Sequence, residues 1–472
     1  MIFRRFYDES LAQASYLIGC AGSGEAVVVD PNRLVDQYMA AAESEGVHIV
    51  GVAETHIHAD YLSGTRELAA RTGAQMYLSA CGTPDWHYAF ASDPKITLLR
   101  EGDEIRVGNV ALRAVHTPGH TPEHLSFLVT DGAVATEPMG ACTGDFVFVG
   151  DVGRPDLLEK AAKVAGASDS AARDLWRSLE AFKTHPDHLQ IWPGHGAGSA
   201  CGKGLSAMPQ STLGYERRYN WAFGAENEDE FVAMVLAGQP EPPRYFGIMK
   251  RLNREGPALL GSLPSPERVK ESLLRALLKD GAVVVDTRPA SAFAAEHVPG
   301  TLNIPLNKSF TTWAGSLLPY DRDLYLIMAE ANADAVEAAV RNLVLIGLDR
   351  VTGYLGAEAV SRWAQSGQPT GSIDHVSVAD LRAGSNGALI VDVRAESEWD
   401  AGHLPGAIHI PLPELEERLG EIPTDRDVVT HCQGGGRSAI AASLLKARGY
   451  DRVANLAGGY SAWVAAGLPV ER

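Results

Sequence analysis

Apolar residues in the first 200 positions gather in short runs rich in β-branched side chains, separated by turns and by longer mixed segments. Ala26-Val-Val-Val-Asp30 and Ile49-Val-Gly-Val-Ala53 read as buried strands. Val107–Val115 and Leu125–Val129 are expected to be further strands. Leu62–Thr72 and Asp174–Thr184 have the charge and alanine content of helices. Strands and helices alternating in this way predict a layered α/β domain over residues 1–260. Its end is marked by the proline-rich Gln239-Pro-Glu-Pro-Pro-Arg-Tyr and by Gly261-Ser-Leu-Pro-Ser-Pro266.

The remainder contains an internal repeat. Asp286-Thr-Arg288 recurs as Asp392-Val-Arg394, Phe293 as Trp399, His297 as His403, and Asn303-Ile-Pro305 as His409-Ile-Pro411, all at an offset of 106 residues. Chance does not produce that register. Two homologous modules are expected, 265–368 and 372–472, joined near Gln365-Ser-Gly-Gln-Pro369. With 472 residues, at about 150 per domain, three domains also fit the length.

Lys plus Arg number 41 against 59 Asp plus Glu, a formal charge of −18 that repels phosphate backbones and anionic lipid. Neither nucleic acid nor a membrane is therefore expected as a partner. No apolar run reaches the roughly 18 residues of a spanning helix. Asp8 and Glu9 stand where a signal peptide needs apolar residues, so the expected compartment is the cytoplasm. The five cysteines, Cys20, Cys81, Cys142, Cys201 and Cys432, form no C-x-x-C pair. Free thiols are expected.

Candidate chemistry begins where the strand at 49–53 runs into Thr55-His56-Ile-His58-Ala-Asp60-Tyr61. Period-2 geometry sends alternate residues the same way, so these side chains can share one cavity. Further metal ligands are available on loops beside apolar segments: His120 in Gly119-His-Thr-Pro, Asp145 in Thr143-Gly-Asp, and His195 in Pro193-Gly-His-Gly. These motifs resemble the metallo-β-lactamase superfamily, whose cluster reads H-x-H-x-D-H. Tyr61 departs from that pattern at the last histidine, which argues against two metals. The subfamily this region most resembles is the persulfide dioxygenases. That resemblance implies one Fe(II) per chain held by His56, His120 and Asp145. It leaves His58, Asp60 and His195 to orient ligands or water, or as the vestige of a second metal site. Two histidines and one carboxylate with open positions also suit iron(II) and O2 chemically. The family's later G-x-G-R-x-D segment matches Asp151-Val-Gly-Arg154-Pro-Asp156. Arg154 is then either an anchor for an anionic substrate or a partner of Asp156.

The repeated modules resemble rhodanese domains. In the second, His431-Cys432-Gln-Gly434-Gly435-Gly436-Arg437-Ser438 follows the apolar strand 427–430 and precedes the helical composition of 439–448. A thiolate between strand and helix N-terminus is favoured by the helix dipole and by free N–H groups. The glycines let the backbone curl around a persulfide, and Arg437 is expected to add positive charge. The resemblance implies Cys432 as sulfur carrier. At the 106 offset the first module has Leu326 for Cys432 and Ala331 for Arg437, so it reads as an inactive homologue.

Together the parts resemble multidomain persulfide dioxygenase–sulfurtransferases: an αββα metallo-β-lactamase sandwich followed by two rhodanese-like α/β domains. The implied activity is oxidation of a low-molecular-weight persulfide by O2 to sulfite and thiosulfate, with sulfane-sulfur transfer, in sulfide detoxification. Two alternatives stand: a glyoxalase II-like dinuclear zinc thiolester hydrolase with an appended sulfurtransferase, and a non-enzymatic sulfur carrier. Cys201 follows His195 by six residues and is expected near the metal, as a second carrier with Lys203 favouring its thiolate, or as a packed structural thiol. The thiol that carries the persulfide, the order of oxidation and transfer, and assembly into a homo-oligomer stay open.

Overall fold

The computed structural model describes residues 1–160, 166–384 and 387–472. The chain divides into two compact units, residues 1–262 with 344–347, and residues 263–343 with 348–472.

The first unit is built on two six-stranded sheets. One runs in chain order through Ile2–Asp8, Gln13–Cys20, Glu25–Val29, His48–Ala53, Gln75–Ser79 and Ile96–Leu99. The other orders Ser211–Thr212, Gln190–Pro193, Gly140–Gly144, Leu125–Asp131, Val110–His116 and Glu104–Val107. Alternation along one strand explains the layering. Tyr16 and Ile18 turn inward and pack with Val27, Leu112, Phe127 and Trp192 between the sheets. Leu17 turns outward with Val28 and is covered by Tyr38 and Ala42 of the helix Asp36–Glu45. On the far sheet, Leu128 and Ile191 meet Leu175, Leu179 and Phe182 of the helix Ala167–Phe182. Helices thus cover both outer faces, giving the expected αββα sandwich. Burial on both faces explains why the run at 26–30 is continuous, whereas in the run at 49–53 Val50 is exposed.

Two element readings change. The run expected as one strand over 107–115 is a hairpin, because Val107 pairs Val110 around Gly108-Asn109, with Gly108 at φ 55°. That two-residue loop needs left-handed backbone, which glycine supplies without strain. The helix expected over 174–184 begins seven residues earlier, at Ala167, just after Gly166 at φ 72°. No helix among the described residues is long and apolar enough to cross a membrane.

The second unit holds two five-stranded parallel sheets of the same strand order. In the first, Glu267–Arg268, Val351–Gly356, Leu324–Met328, Val283–Asp286 and Leu302–Asn303 are neighbours in that order. In the second the order is Asp374–Val376, Val453–Leu456, Val428–His431, Leu389–Asp392 and Ile408–His409. The repeated Asp-x-Arg is a buried ion pair in each: Arg394 donates to both oxygens of Asp392 and to the Gly402 carbonyl, as Arg288 does to Asp286 and the Glu296 carbonyl.

Strand register corrects the alignment of the two modules. Asp286 pairs Ile327, whereas Asp392 pairs His431. Met328, not Leu326, therefore stands where the second module has Cys432, and Ala333, not Ala331, where it has Arg437. The offset of 106 holds as far as Asn303 and His409, which pair the two aspartates. Beyond them the first module is two residues longer, and it forms the helix Phe310–Leu317 where the second has only the short turns Leu412–Glu414 and Leu419–Glu421.

Removing one member of a buried ion pair strands the other. Asp392→Ala is expected to destabilise its module by about 3–5 kcal/mol, read as an earlier urea transition. An unshifted transition would show that the pair contributes little.

Candidate functional site

The first site lies where loops leave the C-terminal ends of the strands His48–Ala53, Gly140–Gly144 and Gln190–Pro193. His56, His120 and Asp145, all buried, bring one ligand atom each within 4.8 Å of one another. Asp145 Oδ2 is 3.5 Å from His120 Nε2 and 4.0 Å from His56 Nε2.

Hydrogen bonds fix which ring nitrogen faces inward. Thr55 Oγ1 donates to Asp30 Oδ2 at 2.9 Å, so at 2.9 Å it accepts from His56 Nδ1. His120 Nδ1 donates to the Arg154 carbonyl at 3.1 Å, and His195 Nδ1 to the Ala12 carbonyl at 3.0 Å. The Nε2 atoms of His56 and His120 are left as lone pairs turned toward Asp145, and His195 Nε2 faces Asp60 and Asp145. Burial, with neighbouring imidazoles, pushes His56 well down; burial also lowers His120. Asp145 is held below the ordinary carboxylate range: burial opposes this, but His195 and His120 outweigh it. Neutral His56 and His120 beside an ionised Asp145 are the protonation states a metal requires, whereas at His195 burial is outweighed by Asp145 and Asp60, which push it up.

The remaining candidates divide. His58 does not join that donor group. Its Nε2 donates to Asp30 Oδ1 at 3.2 Å, and although burial opposes a charge, Asp30, Glu54 and Asp60 push it up to about 9. Its Nδ1 has no partner. Tyr61 is buried, with its hydroxyl donating to the Asp30 carbonyl at 3.2 Å. Asp60, His195 and Cys201 form a second group of donor atoms within 4.8 Å, and His195 Nε2 is also 3.5 Å from Asp145 Oδ1. Cys201 is thus near the metal residues. Its thiol is pushed well up by burial and by Asp145 and Asp60. The expected help from Lys203 is absent, because its ammonium donates to the Met234 and Ala237 carbonyls and lies over the Trp221 ring.

Arg154 is wholly buried. Its guanidinium makes a bidentate pair with Asp156 at 2.7 and 2.8 Å and donates to the Ala200 carbonyl at 3.1 Å. Of the two readings of this arginine, the geometry matches the ion pair. The residue also joins His120, through its own carbonyl, to the loop that carries Cys201.

Sequence reasoning passed over Asp30 and His124. Asp30 ends its strand at φ 52° and ties together Thr55, His58 and Tyr61. His124 Nε2 accepts from the Asp145 N–H at 3.1 Å, its Nδ1 donates to Thr117, and its ring stacks on His56. A histidine four residues after His120 was a signal. The strand-ending aspartate was a weaker one.

The residues present fit a metal ion. Within the group of His56, His120 and Asp145, the Asp145 Oδ2 atom is buried without a hydrogen-bond partner. Such an atom is costly unless a cation meets it. His56, His120 and Asp145 are the residues that would hold it.

The second site is the loop after the strand Val428–His431. Cys432 is buried, with Sγ accepting from the Gly435 N–H at 3.1 Å and from the Ser438 hydroxyl at 3.4 Å. Gly435 adopts φ 106° to cap the helix Gly436–Ala447, while Gly434 and Gly436 line the cavity before the sulfur. Arg437 is tied bidentately to Glu398 at 2.6 and 2.7 Å, so its charge reaches the sulfur as half of an ion pair. Gly459 was not singled out from sequence. A Cβ there would lie 2.2 Å from the Cys432 carbonyl, which Tyr460 N–H bonds at 2.8 Å.

The metallo-β-lactamase superfamily model matches residues 10–195, and the rhodanese-like domain model matches 270–359 and 377–466. A solved metallo-β-lactamase of Staphylococcus aureus subsp. aureus COL is 44% identical, at TM-score 0.69, over 75% of this chain and 99% of that one. A sulfurtransferase of Allochromatium vinosum is 42% identical over 98 residues, 21% of this chain and 92% of that protein. A hydroxyacylglutathione hydrolase of Rhodospirillum rubrum is 29% identical over 240 residues, 50% of this chain and 80% of that protein.

Asp145→Ala is expected to bring bound metal to background in elemental analysis. Thr55→Val, which removes the acceptor that orients His56, is expected to weaken metal affinity about 10–100-fold in chelator competition. Unchanged affinity would mean that the ring is held by packing alone.

Proposed function

The chain belongs to the metallo-β-lactamase superfamily and carries two rhodanese-like domains, and on that premise we propose a non-haem iron persulfide dioxygenase coupled to sulfur transfer. The observation that carries this reading is the donor set His56, His120 and Asp145, with His58 held on Asp30 outside it. Two imidazoles and one carboxylate with open positions suit iron(II) in O2 chemistry. Iron(II) bound there supplies a centre at which a persulfide and dioxygen react together. In the net reaction R–S–SH, O2 and H2O give R–SH and sulfurous acid, so the outer sulfur is oxidised and dioxygen is reduced.

The chain's own residues do the rest. Thr55 and the Arg154 carbonyl aim the ligand imidazoles. Cys201, against Asp60 and His195, is a carrier that brings sulfane sulfur to the cavity. Cys432, supported by the Gly435 N–H and the helix N-terminus, holds a persulfide anion. Sulfite attacks its outer sulfur, forming thiosulfate and returning the Cys432 thiolate. The substrate is a low-molecular-weight persulfide, and the context is sulfide detoxification.

A second reading has a specific observation behind it. Asp60, His195 and Cys201 could hold a second metal, which with the hydroxyacylglutathione hydrolase likeness favours a dinuclear zinc thiolester hydrolase. Oxygen uptake by iron-loaded protein given glutathione persulfide, beside hydrolysis of a glutathione thiolester by zinc-loaded protein, separates the two. Oxygen uptake without hydrolysis is expected; hydrolysis without oxygen uptake would replace the first reading by the second.

Cys432→Ser is expected to abolish sulfur transfer while leaving oxygen uptake largely intact. Transfer that survives in this variant would remove Cys432 from its role. Peptide mass analysis of the same variant after treatment with a persulfide is expected to find an added sulfur atom on Cys201. An unmodified Cys201 would make it structural.

A further inference from the structure

The rhodanese-like module that lacks a cysteine still opens onto the sulfur of the other. Cys432 sits on the wall of a cavity of about 750 Å³ to which both modules contribute. The active loop supplies Cys432, Gln433, Gly434 and Arg437. Much of the opposite wall comes from the first module: Ile304, Pro305 and Leu306 after its edge strand, Trp313, and Met328, the counterpart of Cys432. Trp313 is brought there by the helix Phe310–Leu317, which the second module lacks. The wall is held in place, since Asn303 N–H donates at 3.0 Å to Ser443 Oγ on the helix that begins at the Cys432 loop.

Two features of this cavity decide what it takes. Its volume lies within the range of about 300–1,000 Å³ typical of sites for organic ligands, and an inorganic oxyanion fills only a small part of it. Its charge also gives such an anion little hold, so that sulfite reacts at the loaded sulfur without being retained there. Arg437 is the one Lys or Arg among its lining residues, and Glu398 already holds that guanidinium by both nitrogens, while Glu330 adds a negative charge. What remains is apolar wall with a few uncharged polar groups, Asn307, Ser309 and Gln433.

We propose that the cysteine-less module is the specificity wall of the Cys432 site, selecting as sulfur donor an organic persulfide with an extended, uncharged arm over inorganic thiosulfate. Trp313 and Leu306 bind that arm and position its outer sulfur. The Cys432 thiolate attacks the outer sulfur of R–S–SH. A bond forms to Sγ, the donor's S–S bond breaks, and the proton passes to the departing sulfur, giving R–SH and the Cys432 persulfide anion. No external oxidant is required. The proposal rests on the reading of Cys432 as a sulfur carrier and adds to it the donor class and the residues that choose it.

The test follows the rate at which Cys432 gains a sulfur atom, by peptide mass analysis of the full-length protein, with pantetheine persulfide or thiosulfate as donor over a range of concentrations. Wild type is expected to saturate at far lower concentration with the organic donor. Trp313→Ala is expected to raise that half-saturating concentration on the order of tenfold, with little change in maximal rate and none in the response to thiosulfate. Trp313→Phe should restore much of the binding. Ala335→Phe, which narrows the same cavity without removing core, is expected to act against the organic donor in the same way. Folded variants that respond alike to both donors, or not at all, would overturn the specificity wall while leaving Cys432 a carrier. A wild-type Cys432 that takes sulfur from neither donor would remove the carrier reading, and the proposal with it.

Discussion

The first unit turns on one buried carboxylate. Asp145 lies at the end of the strand Gly140–Gly144, with Oδ2 free of hydrogen bonds and the Nε2 atoms of His120 and His195 each 3.5 Å from one of its oxygens. An unpaired charge in such a place is costly, and bound metal offsets the cost. Several features of the chain become necessary once that carboxylate is in place. Gly153 must be a glycine, because a Cβ would fall 1.7 Å from the Asp145 carbonyl. His124 must be a neutral acceptor, because it takes the Asp145 N–H. Asp30 keeps a left-handed backbone while anchoring the residues on either side of His56. The sandwich holds these loops at fixed distances, as a rigid scaffold with functional residues on its connections does.

Much of this was legible in the sequence, for physical reasons. Continuous apolar runs betrayed strands buried on both faces. The spacing His56, His58, Asp60 announced a buried polar cluster but not its division between two donor groups and Asp30, and the glycine run after Cys432 announced a loop wrapped around sulfur. What stayed hidden depends on contacts between distant segments. The Arg154–Asp156 pair was one of two local readings, but nothing local says that Arg154 also reaches the Ala200 carbonyl, or that Lys203 turns from Cys201 to the Met234 and Ala237 carbonyls. The hairpin at Gly108-Asn109 was a signal overlooked, since a two-residue turn hides within an apolar run. The counterpart of Cys432 was misplaced because a constant offset cannot see an insertion. Only the pairing of Asp286 with Ile327 shows that the modules diverge beyond Asn303.

That insertion changes how the degenerate module is understood. Met328 stands at the place of the thiol, and the longer connection before it forms a helix that presents Trp313 to the same cavity. Duplication gives two loops facing one space. One loop keeps the reacting sulfur, and in our proposal the other became the surface that reads what approaches it.

The central claim is that a single iron sits among His56, His120 and Asp145. Anomalous diffraction at the iron edge, from crystals of protein purified and grown without oxygen, tests it most directly. One iron peak between those three side chains is expected, and none between Asp60, His195 and Cys201. Two metal peaks, one in each donor group, with the zinc edge accounting for both, would contradict it.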